Sequence, residues 1–246
     1  MKSISIVMPA YNEEAIIEKS VRDYYTEILK KNPNGEFIVV DDWSTDNTPI
    51  ILKNLQKELP LLIVVKTPRN SGHGVALRTG FNIASKEFIF HTDSDYQHDP
   101  KDFWKLHPYI ENYDFVFGVR QNRQDAFHRK IISFTVRLLN SIIFGVRLRD
   151  ANCPFRLYKR DTLLQMLRWV KDDAFAPSIQ TALTATHFGI TIKEIPVLHY
   201  ARKTGTVSIL GTKLLKACAR SFKQMLALRW RLLRRDRKGI VHQSNE

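Results

Sequence analysis

The chain is poor in cysteine. It has two, Cys153 and Cys218, too few and too far apart for a disulfide framework or a four-ligand zinc site. That usage fits a reducing compartment. No run approaches the ~18 apolar residues that a membrane-spanning helix needs. The longest candidate, Ile131 to Phe144, is interrupted by Arg137. The opening MKSISIVMPAYNEE lacks a long apolar core and a cleavage signal, so no secretory peptide is expected. Internal repeats and low-complexity linkers are absent. Acidic residues are almost missing near the end. From Thr212 to Lys238 there are ten Lys/Arg against Asp236 alone, so this segment holds nine of the thirteen net positive charges. Such a tail suits anionic lipid, nucleic acid or solvent.

What is present is enough for one large domain with an appendage: 246 residues, 43% of them hydrophobic. The expected division is a domain over 1–208 and a basic tail over 209–246. The first third alternates short apolar runs with helically spaced segments. ISIVMPA, EFIVVDD, LLIVVKT and EFIFHTD read as strands. The stretches from Glu13, Ser44 and Gly72 read as helices between them. This pattern predicts an α/β fold with a mostly parallel sheet covered by helices on both faces. Ligands of such sheets sit beyond the carboxyl ends of the strands. The second half is less regular: helices over 101–112, 126–144 and 174–188, strands at DFVFGVR and ITIKEIPVLHYA, and a strand leading into a helix from Phe155 to Val170.

The acidic strand ends carry the chemistry. Asp93 and Asp95 follow the apolar run Phe88–Ile89–Phe90, and an Asp-x-Asp there can hold a divalent cation through hard oxygen ligands. Gln97 and His98 could add ligands. The plainer alternative is a solvated turn in which Asp99 caps a helix opening at Pro100. Asp41 and Asp42 could hydrogen-bond the base or ribose of a nucleotide, or cap the following helix. NSGHGVALRTG could bring backbone close to a ligand, although its spacing is not that of a dinucleotide fingerprint.

Six segments, VMPAYNEE, VVDDWSTDNT, RNSGHGVALRTGF, DSDYQHDP, DANCPFRLYKRD and IKEIPVLHYARKTGTVS, occur in the order and spacing of glycosyltransferase family two. Over about Ile4 to Ser208 the chain resembles that family, and most of all its polyprenyl-phosphate branch, which includes the dolichol-phosphate mannose synthases. The resemblance implies a GT-A fold, a nucleotide-sugar donor, Mg2+ or Mn2+, and inversion at the anomeric carbon. By position it implies that Pro9, Tyr11, Glu13 and Asp41 line the nucleoside pocket, with Asp42 and Asp93 also serving the donor. Asp93 and Asp95 form the Asp-x-Asp, with Asp95 and Gln97 as metal ligands. Arg202 falls on the arginine that binds the donor diphosphate, and Arg120, Arg129 and Ser133 on positions that hold the acceptor phosphate. The chain departs from the family at Trp43, which replaces the glycine of DDGS, at NCPFR in place of SGFR, and by one extra residue between Gly205 and Ser208.

The implied acceptor, a lipid phosphate, needs little activation, because a phosphate monoester has a second pKa of roughly 6. A sugar-hydroxyl acceptor would need a general base. Asp173 lies where such a base would fall, although a helix-capping role for Asp172–Asp173 is favoured. A non-enzymatic alternative is a basic nucleic-acid-binding protein. Its charge would then lie outside the fold, and the aromatics do not interleave with it as a stacking platform requires. No nucleic acid is therefore expected as partner. The expected setting is cytoplasmic and peripheral to an anionic membrane. Gly211 to Lys238 forms an amphipathic helix there, with Leu214, Cys218, Phe222, Met225 and Leu232 as its apolar stripe. The alternative is a helix that packs back on the domain or joins two subunits.

Overall fold

A computed structural model describes residues 2–121, 141–145, 148–174, 176–201 and 212–243, with the side chains of 212–218 and 235–243 set aside. Arg129, Ser133, Arg202 and most of the 126–144 stretch lie outside the described residues.

Each apolar run of the first third is a strand followed by a helix. β1 (Ile4–Ala10) leads to α1 (Ile17–Tyr24), which continues as a wider π-turn over Tyr25–Leu29. β2 (Glu36–Asp41) leads to α2 (Thr48–Glu58), and β3 (Leu62–Lys66) to α3 (His73–Ile83). β4 (Phe88–His91) follows. The second half adds α4 (Phe103–Leu106), β5 (Phe115–Gln121), β6 (Arg156–Lys159), α5 (Arg160–Leu167), α6 (Pro177–His187), β7 (Ile192–Leu198) and α7 (Thr212–Gln243).

The strands make one seven-stranded sheet in the order β3-β2-β1-β4-β6-β5-β7. β6 runs antiparallel to both neighbours, β4 and β5, while the other pairings are parallel. Six strands therefore point one way, and their carboxyl ends share one rim.

Period-two alternation splits the core into two layers. Ile4, Ile6 and Met8 face α1, α2 and α4, together with Val21, Tyr24, Leu52 and Phe103. Val7 faces α3, α5 and α6, together with Leu77, Phe81, Leu163 and Ala182. Gly80 sets the spacing of α3 on the sheet, since a Cβ there would lie 2.4 Å from Val7 Cγ1.

Two expectations change. The 101–112 helix is broken into two 3-10 turns flanking a single turn, α4. Pro108 has no N–H with which to continue the ladder. Asp99 does cap this region, its carboxylate accepting from Lys101 N. The basic tail is helical, as its spacing requires, but it is docked. Met225, Leu228 and Leu232 of α7 are buried against Ile179 and Leu183 of α6 and against Phe144. Phe222, Met225 and Leu232 of the expected stripe thus have a protein partner, as in the packed alternative, while the side chains of Leu214 and Cys218 lie outside those described. Leu226, Trp230 and Leu233 point outward, 45%, 55% and 42% exposed. No helix among the described residues is long and apolar enough to cross a membrane.

Candidate active site

A cleft of about 830 Å³ opens at the carboxyl rim of the sheet. One wall is the loop after β1, in which Pro9, Tyr11 and Glu13 line the cavity. Asn12 adopts φ 53° there. The loops after β1 and β2 are stitched together side chain to backbone. Asn12 N donates to Ser44 Oγ, and Thr45 N donates back to Asn12 Oδ1. Glu13 N donates to Thr48 Oγ1, and Asn47 N to Glu14 Oε2. The segments VMPAYNEE and DDWSTDNT are therefore one structural unit.

The acidic pair at the end of β2 divides its work, and neither residue caps α2, whose N-cap Asn47 makes no side-chain cap bond. Asp41 Oδ1 accepts from Ser44 N and closes the turn. Asp41 is 1% exposed at the end of β2. Its Oδ2 has no hydrogen-bond partner, with Lys66 Nζ at 4.0 Å. Asp42 does line the cleft and clamps the glycine loop: Oδ1 accepts from Thr67 Oγ1 and Ser71 N, and Oδ2 from Gly72 N at 2.7 Å. Trp43 keeps the left-handed conformation, φ 64°, that suits the family's glycine. Gly74 lets the first turn of α3 meet the opposite wall, since a Cβ there would lie 2.2 Å from Ala174 O.

The floor is the chain after β4. Asp93, Asp95, Gln97 and His98 all line the cavity. Asp95 Oδ1 accepts from Gln97 N, and Gln97 Nε2 donates to Tyr200 O at 3.0 Å. The amide nitrogen being so committed, the amide oxygen is the atom left to serve as a ligand. A carboxylate and an amide oxygen two residues apart are hard donors that fit Mg2+ or Mn2+. Burial pulls the Asp93 carboxyl upward, but the imidazoles of His73, His91 and His98 outweigh it and hold Asp93 below the usual carboxylate range. Burial pushes the His91 imidazole below its ordinary value against the pull of Asp93, and pushes His98 down to about 4. It also pushes the neighbouring Cys153 thiol up to about 12, so this cysteine stays protonated.

The far wall is cationic. Arg120 lines the cleft and forms a two-pronged ion pair with Asp150, Nε to Oδ2 at 2.8 Å and Nη2 to Oδ1 at 2.9 Å. Its side chain is only 10% exposed. Asp172 and Asp173 do not cap α6, whose N-cap is Ala176. Asp172 pairs with Arg78 at 2.9 Å. Asp173 lines the cleft and receives Arg220 from α7.

Two arginines have no place in the sequence reading of the site: Arg220, which lines this wall, and Arg156, buried behind it. Arg220 was counted as tail charge, yet it lines the cavity. Arg156 is wholly buried, stacks on Phe117 and donates to the carbonyls of Ala151, Cys153 and Ser178. It fixes the NCP loop and the first turn of α6. An arginine between the apolar Phe155 and Leu157 is the signal the sequence offers.

The family model described as Glycosyl transferase family 2 matches residues 5–167. An undecaprenyl-phosphate 4-deoxy-4-formamido-L-arabinose transferase of Pectobacterium atrosepticum is 31% identical over 217 residues, 87% of this chain and 65% of its own length. Its counterpart in Salmonella typhimurium is 31% identical over 207 residues, 83% of this chain and 62% of its own. The chain thus spans less than two thirds of the curated relatives it matches. Among solved structures, glucosyl-3-phosphoglycerate synthase of Mycobacterium tuberculosis, with Mn2+, UDP-glucose and phosphoglyceric acid, superposes with TM-score 0.69. It is 21% identical and covers 93% of this chain and 80% of that one. A mannosyltransferase of Pyrobaculum calidifontis with GDP-mannose and Mn2+ gives TM-score 0.63 at 20% identity, covering 93% of this chain and 71% of that one. These two likenesses bear on the fold alone.

Proposed function

The chain belongs to glycosyl transferase family 2, and from that premise we propose that it moves a sugar, with inversion, from a nucleotide-diphosphate sugar to a polyprenyl phosphate at a membrane surface. The observation that carries this reading is the continuity of the cleft. Pro9, Tyr11, Glu13 and Asp42 on one wall and Arg120 on the other meet over Asp93 and Asp95. The names of the relatives, which are undecaprenyl-phosphate sugar transferases, supply the acceptor class.

Pro9, Tyr11 and Glu13 hold the nucleoside, and Asp42 fixes the glycine loop beside it. Asp41 serves the nucleoside through its unpartnered oxygen. Asp93, kept ionised by its imidazole neighbours, takes a hydroxyl of the donor. A divalent cation on Asp95 and Gln97 would offset the negative charge that gathers on the diphosphate leaving group. Arg202, which falls on the family's diphosphate-binding arginine by sequence position, would add fixed charge to that leaving group. Arg120, stiffened by Asp150, and Arg129 with Ser133 orient the acceptor phosphate, guanidinium being suited to two-point phosphate contacts. The acceptor oxygen attacks as an anion, so no base takes a proton from it.

The outward face of α7, with Leu226, Trp230 and Leu233 among Lys223, Arg231 and Arg234, gives the domain its membrane contact. Each Lys/Arg near an anionic leaflet contributes about 1 kcal/mol.

The hydroxyl-acceptor reading keeps one observation in its favour: Asp173 lines the same cleft. A radiolabelled transfer assay decides, with polyprenyl phosphate against free oligosaccharide as acceptor, a panel of sugar nucleotides, and Mg2+ or Mn2+. Product on lipid phosphate, lost with chelator, is expected. Product on oligosaccharide alone would overturn the proposal.

A further inference from the structure

We propose that His73, His91 and Asp93 form a second cation site, specific for a borderline divalent transition ion such as Zn2+ and separate from the oxygen ligands Asp95 and Gln97. One ligand atom from each of the three residues lies within 4.8 Å of the other two. Asp93 Oδ1 is 3.5 Å from His91 Nε2 and 3.9 Å from His73 Nε2. Ligands about 2.0–2.1 Å from a tetrahedral zinc stand roughly 3.4 Å from one another. The first pair already has that spacing, and the second needs only a small shift of His73, whose side chain is 52% exposed.

The second observation is a local deficit of partners. His91 is 1% exposed, its Nδ1 has no partner, and its Nε2 faces the buried Asp93 Oδ1 at 3.5 Å, a contact too long and poorly aligned to satisfy either atom fully. Buried polar atoms are nearly always paired, so three such atoms in one place call for an explanation. An ion between His91 Nε2 and Asp93 Oδ1 satisfies two of them at once.

The fold puts these atoms together. His91 ends β4, Asp93 follows it across the rim, and His73 opens α3, whose loop Asp42 pulls inward. Phe81 packs edge-on against the His91 ring at 5.8 Å and fixes its plane.

Donor chemistry sets the selectivity. Two imidazoles with one carboxylate suit Zn2+, Co2+ or Ni2+, whereas Mg2+ prefers oxygen. Three protein ligands leave a fourth position open, and all three residues line the cleft. Asp93 then has two claimants. If the transfer reading holds, the ion and the sugar nucleotide compete for its carboxylate.

The test is a Co2+ titration of the full chain in excess Mg2+, followed by visible absorption, with neither donor nor acceptor present. Its outcome is therefore independent of the transfer reading. One equivalent of Co2+ should give bands of tetrahedral intensity, which Zn2+ erases and Mg2+ does not. His73→Ala should weaken Co2+ binding at least tenfold. His73→Cys should restore binding and add a thiolate-to-cobalt charge-transfer band, an effect that a purely structural role could not produce. Absence of the bands in the wild-type chain, or bands unchanged in both His73→Ala and Asp93→Asn, overturns the site.

Discussion

Arg220, on the C-terminal helix, donates from one guanidinium nitrogen to both the carbonyl and the carboxylate of Asp173, at 3.1 and 3.3 Å. Gln224, one turn further along, donates to the same carbonyl. The basic tail and the cleft wall are therefore one unit. Asp173→Ala is expected to keep transfer to lipid phosphate within about tenfold of wild type, since a dianionic acceptor has no proton to surrender. Turnover at saturating donor measures this. A loss of several orders of magnitude in a folded variant would transfer the assignment to a hydroxyl acceptor with Asp173 as base.

Asp95→Asn should lower turnover by about 10²–10³-fold or more, the scale of removing one electrostatic stabiliser of a developing anion. The fold should survive. Nucleoside diphosphate with Mn2+ should raise the melting temperature of the wild type, a ligand at 100 times its Kd contributing about 2.7 kcal/mol. The variant should show no Mn2+-dependent part of that shift. Wild-type turnover in Asp95→Asn would defeat the metal assignment.

Asp42→Ala should destabilise by about 3 kcal/mol or more. It removes a buried charged acceptor from Thr67, Ser71 and Gly72 together, and hydrogen bonds to charged groups contribute about 1.5–3 kcal/mol each. Asp42→Asn keeps one acceptor oxygen and should cost less. Urea unfolding of the three proteins gives the order, and equal stability of Asp42→Ala and wild type would contradict the clamp.

The two faces of the last helix should separate in mutation. Leu228→Ala, at a buried position, should cost about 2–5 kcal/mol. Trp230→Ala, 55% exposed, should leave stability within about 0.5 kcal/mol but weaken sedimentation with anionic vesicles. A chain ending at Ser208 would uncover Ile179 and Leu183. It should therefore melt earlier than the full chain, rather than behave as an intact domain without its anchor. Equal melting temperatures would show that the docking contributes nothing.

Local chemistry made the first four strands and three helices legible, because short continuous apolar runs ending in polar or Pro residues alternate with helical spacing. The cleft residues on those strand ends were legible for the same reason, once Asp93 and Asp95 followed an apolar run. The direction of β6 was not. Arg156–Leu157–Tyr158–Lys159 would alternate in the same way whichever way it ran. Asp41 and Asp42 look alike in sequence and differ in structure because side chains alternate along a strand, so one closes its own turn and the other reaches the glycine loop. Arg220 and Asp173 are 47 residues apart, and His73 meets Asp93 only after the glycine loop folds back, so neither contact has a local signature.

The lone antiparallel strand also governs how the protein can be made. β4 has β1 on one side from early on, but its other neighbour is β6. The ribosome must extend the chain from His91 to Lys159 before that place is filled, several seconds at about 5–20 residues per second. Throughout that interval the nascent half-sheet offers a raw, wholly apolar-flanked edge, the kind that captures stray strands. Slow codons or missing chaperone between those two points would favour aggregation of the newborn chain, while the same delay after residue 198 would find the sheet already closed.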